Sequence, residues 1–300
     1  MASNESFDDV DQLDQQLADE RSTDTRTVSS ADDARTVISN FKGRDGASPW
    51  SSLSRADVAD RLTDIVGNPR LIQQGALNLC GPAAFMCMWC GRDPVAFANF
   101  ATALFENGSA SIGSLQVTPS SALLNQDYNA MLPRMGAAVS PQADWMFMGA
   151  LRNSTDVFWQ GTWTGDPDSQ LSALTRPEEL TSWLQATGIY KSVDNQANWA
   201  TLKGIPHSTG LTLTEGTDIA LLVHLNLIKA AENSSKDSDW LMTQFPNHYV
   251  MLVSEVICRA DQPTVQLSIW TWGETKIGLT VPQQDFLSNY YGAVVATLNG

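Results

Sequence analysis

From Cys80 to Cys90 the chain reads CGPAAFMCMWC, eleven residues without a charge. Ala83, Ala84, Phe85, Met86, Met88 and Trp89 leave a helix built here with no polar face, and a helix that is apolar all round has to be enclosed by other elements. The sequence is therefore expected to fold around this segment as a central helix. Its length of 300 residues and 43% hydrophobic content supply enough material for a full-sized core.

The flanking sequence reads as the rest of a helical half. Ser54-Arg-Ala-Asp leads into Val58, Leu62, Ile65 and Val66 at helical spacing, and Asn68-Pro69 ends that run. Asp93-Pro94 opens another helix through Phe97, Phe100, Leu104 and Phe105, with Asn107-Gly108 as its stop. Residues 119–190 read as helical or irregular, with helices clearest at Trp145 to Leu151 and Pro177 to Thr187. The character then changes. Asp218 to Ile228, Tyr249 to Ile257, Val265 to Trp272 and Ala293 to Leu298 are short, apolar and rich in β-branched or aromatic residues, which predicts strands. Helices followed by strands describe an α+β fold.

Residues 1–50 are set apart by composition. The first 40 hold ten acidic side chains against three arginines and few large apolar groups, a mixture that cannot bury enough surface to offset its ordering entropy. They are read as a flexible acidic tail, a propeptide or recognition segment, with docking of Val37, Ile38 and Phe41 as the alternative. Residues 51–300 are read as the catalytic domain. A formal charge of −15 argues against a nucleic-acid partner, since phosphate binding draws on clustered Lys and Arg. The N-terminus has neither the basic nor the apolar region of a secretion signal, and no run of about 18 apolar residues occurs. The expected location is cytoplasmic, or outside the cell by a route without a cleavable signal, with no membrane insertion. Four cysteines, three of them within eleven residues, do not make a disulfide framework. Cys87-x-x-Cys90 lies two turns inside the apolar helix, lacks a second ligand pair, and is read as core rather than as a zinc or redox site. No cofactor motif is present.

Three elements carry chemistry. Cys80 stands at the mouth of the central helix, where the macrodipole and unpaired N–H groups favour a thiolate and can stabilise an oxyanion. Gln74, on the turn that approaches the helix, offers a neutral N–H donor for the same developing charge. His248 heads an apolar strand, a rigid carrier from which an imidazole can take the thiol proton. The end of the next strand, Ile269-Trp-Thr-Trp-Gly273, is where a residue orienting that imidazole is expected. His224 lies inside LLVHLNL and reads as a core histidine and runner-up base, and His207 as a loop residue.

A glutamine six residues before a cysteine that opens a helix, a distant Asn247-His248 at a strand start, and Trp272-Gly273 after the next strand resemble the papain-like cysteine peptidases, across residues 70 to 100 and 245 to 275. The resemblance implies a two-lobed fold with a helical N-terminal lobe and an antiparallel β-rich C-terminal lobe. It makes Cys80 the nucleophile, His248 the general base and Gln74 the oxyanion-hole donor, with an amide bond of a protein or peptide as substrate. Two positions depart from the pattern. Cys80-Gly-Pro-Ala replaces the family's Cys-Trp, and Trp270 stands in place of the orienting Asn, although an indole cannot accept the imidazole N–H. Thr271, Glu274 or a backbone carbonyl are the substitutes. The closer likeness is to uncharacterised bacterial proteins and delivered effectors or toxins of the superfamily, which implies a cognate inhibitor or immunity protein as a further partner. A deamidase, transglutaminase or cell-wall amidase with the same Cys-His chemistry is the alternative, as is a catalytically dead binding module.

Overall fold

The structure, a computed structural model, describes residues 30–136, 138–155, 162–168, 174–199, 211, 213–236, 245–258 and 263–299. His207 and most of residues 1–50 thus lie outside the described residues. The helical half runs α1 (Ala31–Lys42), α2 (Arg55–Gly67), α3 (Cys80–Arg92) and α4 (Pro94–Asn107), then the hairpin β1 (Ala110–Ile112) and β2 (Leu115–Val117). After α5 (Ser121–Leu124), α6 (Tyr128–Met135), α7 (Gln142–Ser154) and α8 (Pro177–Ala186) come β3 (Tyr190–Asn195) and β4 (Thr217–Val223). The chain closes with α9 (Asn226–Ala231), β5 (His248–Leu252), β6 (Ile257–Cys258), β7 (Thr264–Thr271), β8 (Glu274–Pro282), α10 (Gln283–Asn289) and β9 (Tyr290–Leu298). The fold is mixed α+β, as expected.

Capping residues place the helix boundaries. Ser54 accepts the Asp57 N–H at the start of α2, Asp93 accepts the Ala96 N–H at the start of α4, and Gly108 ends α4 in the left-handed conformation. α3 is buried from Cys80 through Cys90 and packs against α2, α4, α7 and α8, the central position that its composition requires.

An antiparallel sheet of seven strands runs in the order β3-β9-β4-β5-β7-β6, with β8 also paired to β7. Alternation along the strands divides the core in two. Ala220, Leu222, Tyr249, Met251 and Trp270 point to the helices, while Ile219, Leu221, Val250, Leu252 and Ile269 point to the opposite face with α9 and α10. Among the described residues no helix is long and apolar enough to cross a membrane.

Three expectations are corrected. The segment 31–50 is not a flexible tail. Ser30 caps α1 by accepting the Asp33 N–H, and Ala34, Ile38 and Phe41 form a buried stripe at i, i+4 and i+7. Composition favoured the tail, but the alternative holds, since Ile38 and Phe41 are buried and Val37 packs beside them. The run Asp218 to Ile228 is not one strand, because the chain leaves the sheet after Val223 and turns at His224 into α9. The strand begun at Tyr249 breaks after Leu252 and resumes only as β6.

Candidate active site

Cys80 is the first residue of α3, and Leu79 before it provides no side-chain cap. The first amides of the helix are therefore open, and those of Cys80 and Gly81 turn to the Cys80 sulfur. The Tyr249 backbone N–H reaches the sulfur from β5, and the thiol itself donates to the Asn247 carbonyl at 3.9 Å. The sulfur thus rests against the peptide groups on either side of His248.

The turn before the helix is fixed independently. Gly75 has φ +64°, and a β-carbon there would lie 2.5 Å from the Ala138 carbonyl oxygen and 2.6 Å from the Ser140 nitrogen. Only glycine fits both the conformation and the space. Ala76 N–H donates to that Ala138 carbonyl at 2.9 Å. Gln74 is buried, and its Nε2 donates to the Leu77 carbonyl at 2.7 Å. A primary amide has two N–H groups, so this bond orients the carboxamide and leaves the second N–H to act.

His248 opens β5 with its ring buried. Its Nε2 lies 2.6 Å from Thr271 Oγ1, at the end of the adjoining β7, and its face stacks on Trp272 with centroids 4.3 Å apart and planes at 27°. The residue beside the imidazole is thus Thr271. Trp270 points to the opposite face of the sheet, where its Nε1 donates to the Arg70 carbonyl at 2.6 Å. Glu274 is exposed and pairs with Lys276 at 3.2 Å. Trp272 adopts φ +51° and Gly273 φ +76°, so the β7–β8 connection is a tight two-residue turn with an indole held in a conformation few non-glycine residues adopt. The strained turn lays the ring over the imidazole.

Gln73 escaped the sequence reading. Its Nε2 donates to the Trp272 carbonyl, its Oε1 accepts the Gly75 N–H at 3.0 Å, and its own N–H donates to Asp144 Oδ1 at 2.6 Å. Asp144 is fully buried and held by the Arg61 guanidinium at 2.8 and 2.9 Å. Gln73 joins the turn before Cys80 to the turn that covers the histidine. The paired Gln73-Gln74 was the available signal.

His224 is buried at the end of β4, where its Nδ1 accepts the Asn226 N–H at 3.0 Å and its Nε2 lies 3.4 Å from Asn247 Nδ2. Asn247 Oδ1 accepts the Leu225 N–H at 2.9 Å. His224 and Asn247 together shape the chain that presents His248.

Burial sets the electrostatics. Desolvation raises the Cys80 pKa to about 11, against the opposing N–H bonds from Tyr249, Gly81 and Cys80, and lowers the His248 pKa to about 3. In the resting site the thiol and the imidazole are both neutral. Cys87 and Cys90 are core residues of α3, and among the described residues no three His, Cys, Asp or Glu side chains converge as a metal site would require. Comparison with protein-family models, curated proteins and solved structures finds no match to this chain.

Proposed function

We propose that this chain is a cysteine-dependent hydrolase of amide bonds, built as a papain-like fold with a helical lobe carrying Cys80 and a β-rich lobe carrying His248. The observation that supports this is the juxtaposition of a thiol at a helix N-terminus with the peptide groups flanking a histidine whose Nε2 is engaged by Thr271. When Nε2–H donates to Thr271 Oγ1, the lone pair is on Nδ1, the nitrogen that serves as base. Thr271 then takes the orienting role for which Trp270 is unsuited.

The Cys80 thiol passes its proton to His248 Nδ1 as sulfur bonds to the substrate carbonyl carbon. The oxyanion receives the Cys80 backbone N–H and the second N–H of Gln74. The imidazolium returns the proton to the leaving nitrogen as the C–N bond breaks, leaving a thioester. Water attacks the thioester, gives its proton to His248, and releases the acid and the thiol. Because both groups rest neutral, the proton moves with the attack rather than before it.

A protein or peptide is the substrate class, and activity as a delivered effector or toxin with a cognate inhibitor is the wider setting. The test is covalent labelling with an epoxide directed at papain-like enzymes, located by mass spectrometry. Labelling of Cys80 that falls at least tenfold in a His248→Ala variant is expected. Labelling of Cys80 indifferent to that change would overturn the reading and favour a binding module.

A further inference from the structure

Two hydroxyl groups beside Cys80 are buried without a hydrogen-bond partner. Thr175, 3% exposed, lies in the segment Leu174–Arg176 that leads into α8, and its Oγ1 has none. Its side chain packs on the residue after the nucleophile, since a β-carbon on Gly81 would lie 2.4 Å from both Thr175 Cβ and Thr175 Oγ1. That contact explains why glycine follows Cys80. The Tyr249 hydroxyl, on a side chain 2% exposed, also has no partner. Its phenol lies in the fields of Cys80 and of Glu178 and Glu179 in the first turn of α8. The Thr175 hydroxyl thus sits where the N-termini of α3 and α8 meet, and the Tyr249 side chain enters the same helix-side core from β5, the strand whose backbone N–H reaches the Cys80 sulfur.

A buried hydroxyl left unpaired costs about 1–3 kcal/mol, so a native structure that keeps both needs a reason for them. The segment holding Thr175 has not simply failed to find its bonds. On one side Arg152 Nη1 donates to the Leu174 carbonyl at 3.2 Å, and on the other Arg176 N–H donates to Glu179 Oε2 at 2.7 Å. The Arg152–Glu179 ion pair at 3.0 Å ties the two anchors together. Thr175 is thus pinned before and after, with its hydroxyl presented unpaired at the nucleophile's helix. A charged ligand group would add its own desolvation to so dry a place, whereas a carboxamide, with N–H donors and a carbonyl acceptor, matches two hydroxyls that can each donate or accept.

We propose that Thr175 Oγ1 and the Tyr249 hydroxyl form a polar subsite that binds the uncharged amide group of the substrate as it is delivered to Cys80. This rests on the proposed reaction at Cys80 and deepens it by naming the chemistry the site selects.

The experiment compares wild type with Thr175→Val, Thr175→Ser and Tyr249→Phe in the full chain. Alkylation of Cys80 by iodoacetamide, which carries a carboxamide, is followed by peptide mass spectrometry beside modification by methyl methanethiolsulfonate, which carries none. Thermal melting is read on the same samples. Thr175→Val and Tyr249→Phe are expected to slow iodoacetamide about three- to tenfold, to leave methanethiolsulfonate unchanged, and to melt at or above the wild-type temperature, with Thr175→Ser near wild type. Equal slowing of both reagents, or no slowing of either, overturns the subsite, as does a lower melting point with Thr175→Val, which would mean that the hydroxyl is already paired. Failure of the proposed reaction shows separately, as wild-type Cys80 labelling that does not depend on His248.

Discussion

A single nitrogen decides what His248 can do. With Nε2 committed to Thr271 Oγ1 at 2.6 Å, the ring cannot rotate without losing that bond. Thr271→Val keeps the shape and removes the partner, so kcat on any amide substrate should fall about tenfold to a hundredfold, the rate equivalent of about 1.4–3 kcal/mol. Thr271→Ser should recover most of it, and steady-state kinetics on the two variants checks both. The ionisation of Cys80 is open to direct measurement. Because burial holds its pKa near 11, the ultraviolet thiolate absorbance of wild type minus Cys80→Ser should show no step between pH 4 and pH 9. A step in that window would mean a preformed ion pair. The positions of Cys80 at a helix mouth, His248 at a strand head and Gln74 on the preceding turn were legible because each leaves a local signature. Thr271 could not be chosen, because a one-residue change in which side chain faces the histidine flips every neighbour to the other face of the sheet, and only the pairing of β5 with β7 fixes it.

The elements divide in the same way between local and distant causes. The helices α2, α3 and α4 were legible because caps, periodicity and stop residues all lie within a few positions of each boundary. The strands β3 and β8 were not, since Tyr190–Asn195 and Glu274–Pro282 alternate with exposed polar residues and owe their extension to partners β9 and β7. α1 is the instructive case, a helix in acidic surroundings held by three apolar contacts. Phe41 is fully buried, meets Phe105 edge-on at 5.3 Å, and lies beneath the Arg55 guanidinium at 4.7 Å. Phe41→Ala should cost about 3–5 kcal/mol in urea unfolding if α1 is part of the folded body, and almost nothing if it is loosely attached. Gly75→Ala should be as harmful for a different reason, since the new methyl meets backbone on two sides and the turn before Cys80 has nowhere to move.

For the molecule as a whole, the buried site makes stability depend on pH. His248 titrates at about 3 when folded and near 6.5 when unfolded, so between those values the unfolded chain binds a proton that the folded chain refuses. Stability should be undiminished by this group above pH 6.5 and decline by a few kcal/mol as pH falls towards 3, and His248→Gln should flatten that decline in a series of denaturation curves. The Cys80 shift works at the other end, with stability lost as pH rises from 9 to 11. The α+β class was readable from the order of helical and stranded runs, yet the partition of the core across the two faces of one sheet was not, because it depends on strand order. Between the two halves run two crossbars described above, Gln73 to the Trp272 carbonyl and Trp270 to the Arg70 carbonyl. Each spans about 200 positions of sequence yet lies within ten residues of Cys80 and three of Thr271. They act as a spacer between the segment that leads to Cys80 and the hairpin that stacks on His248, much as a shim sets a joint, so loosening of distant helices leaves that spacing intact. When the β7–β8 hairpin comes away, the spacer leaves with it, and labelling of Cys80 should lose its dependence on His248 in the same transition that exposes the hairpin amides to hydrogen exchange.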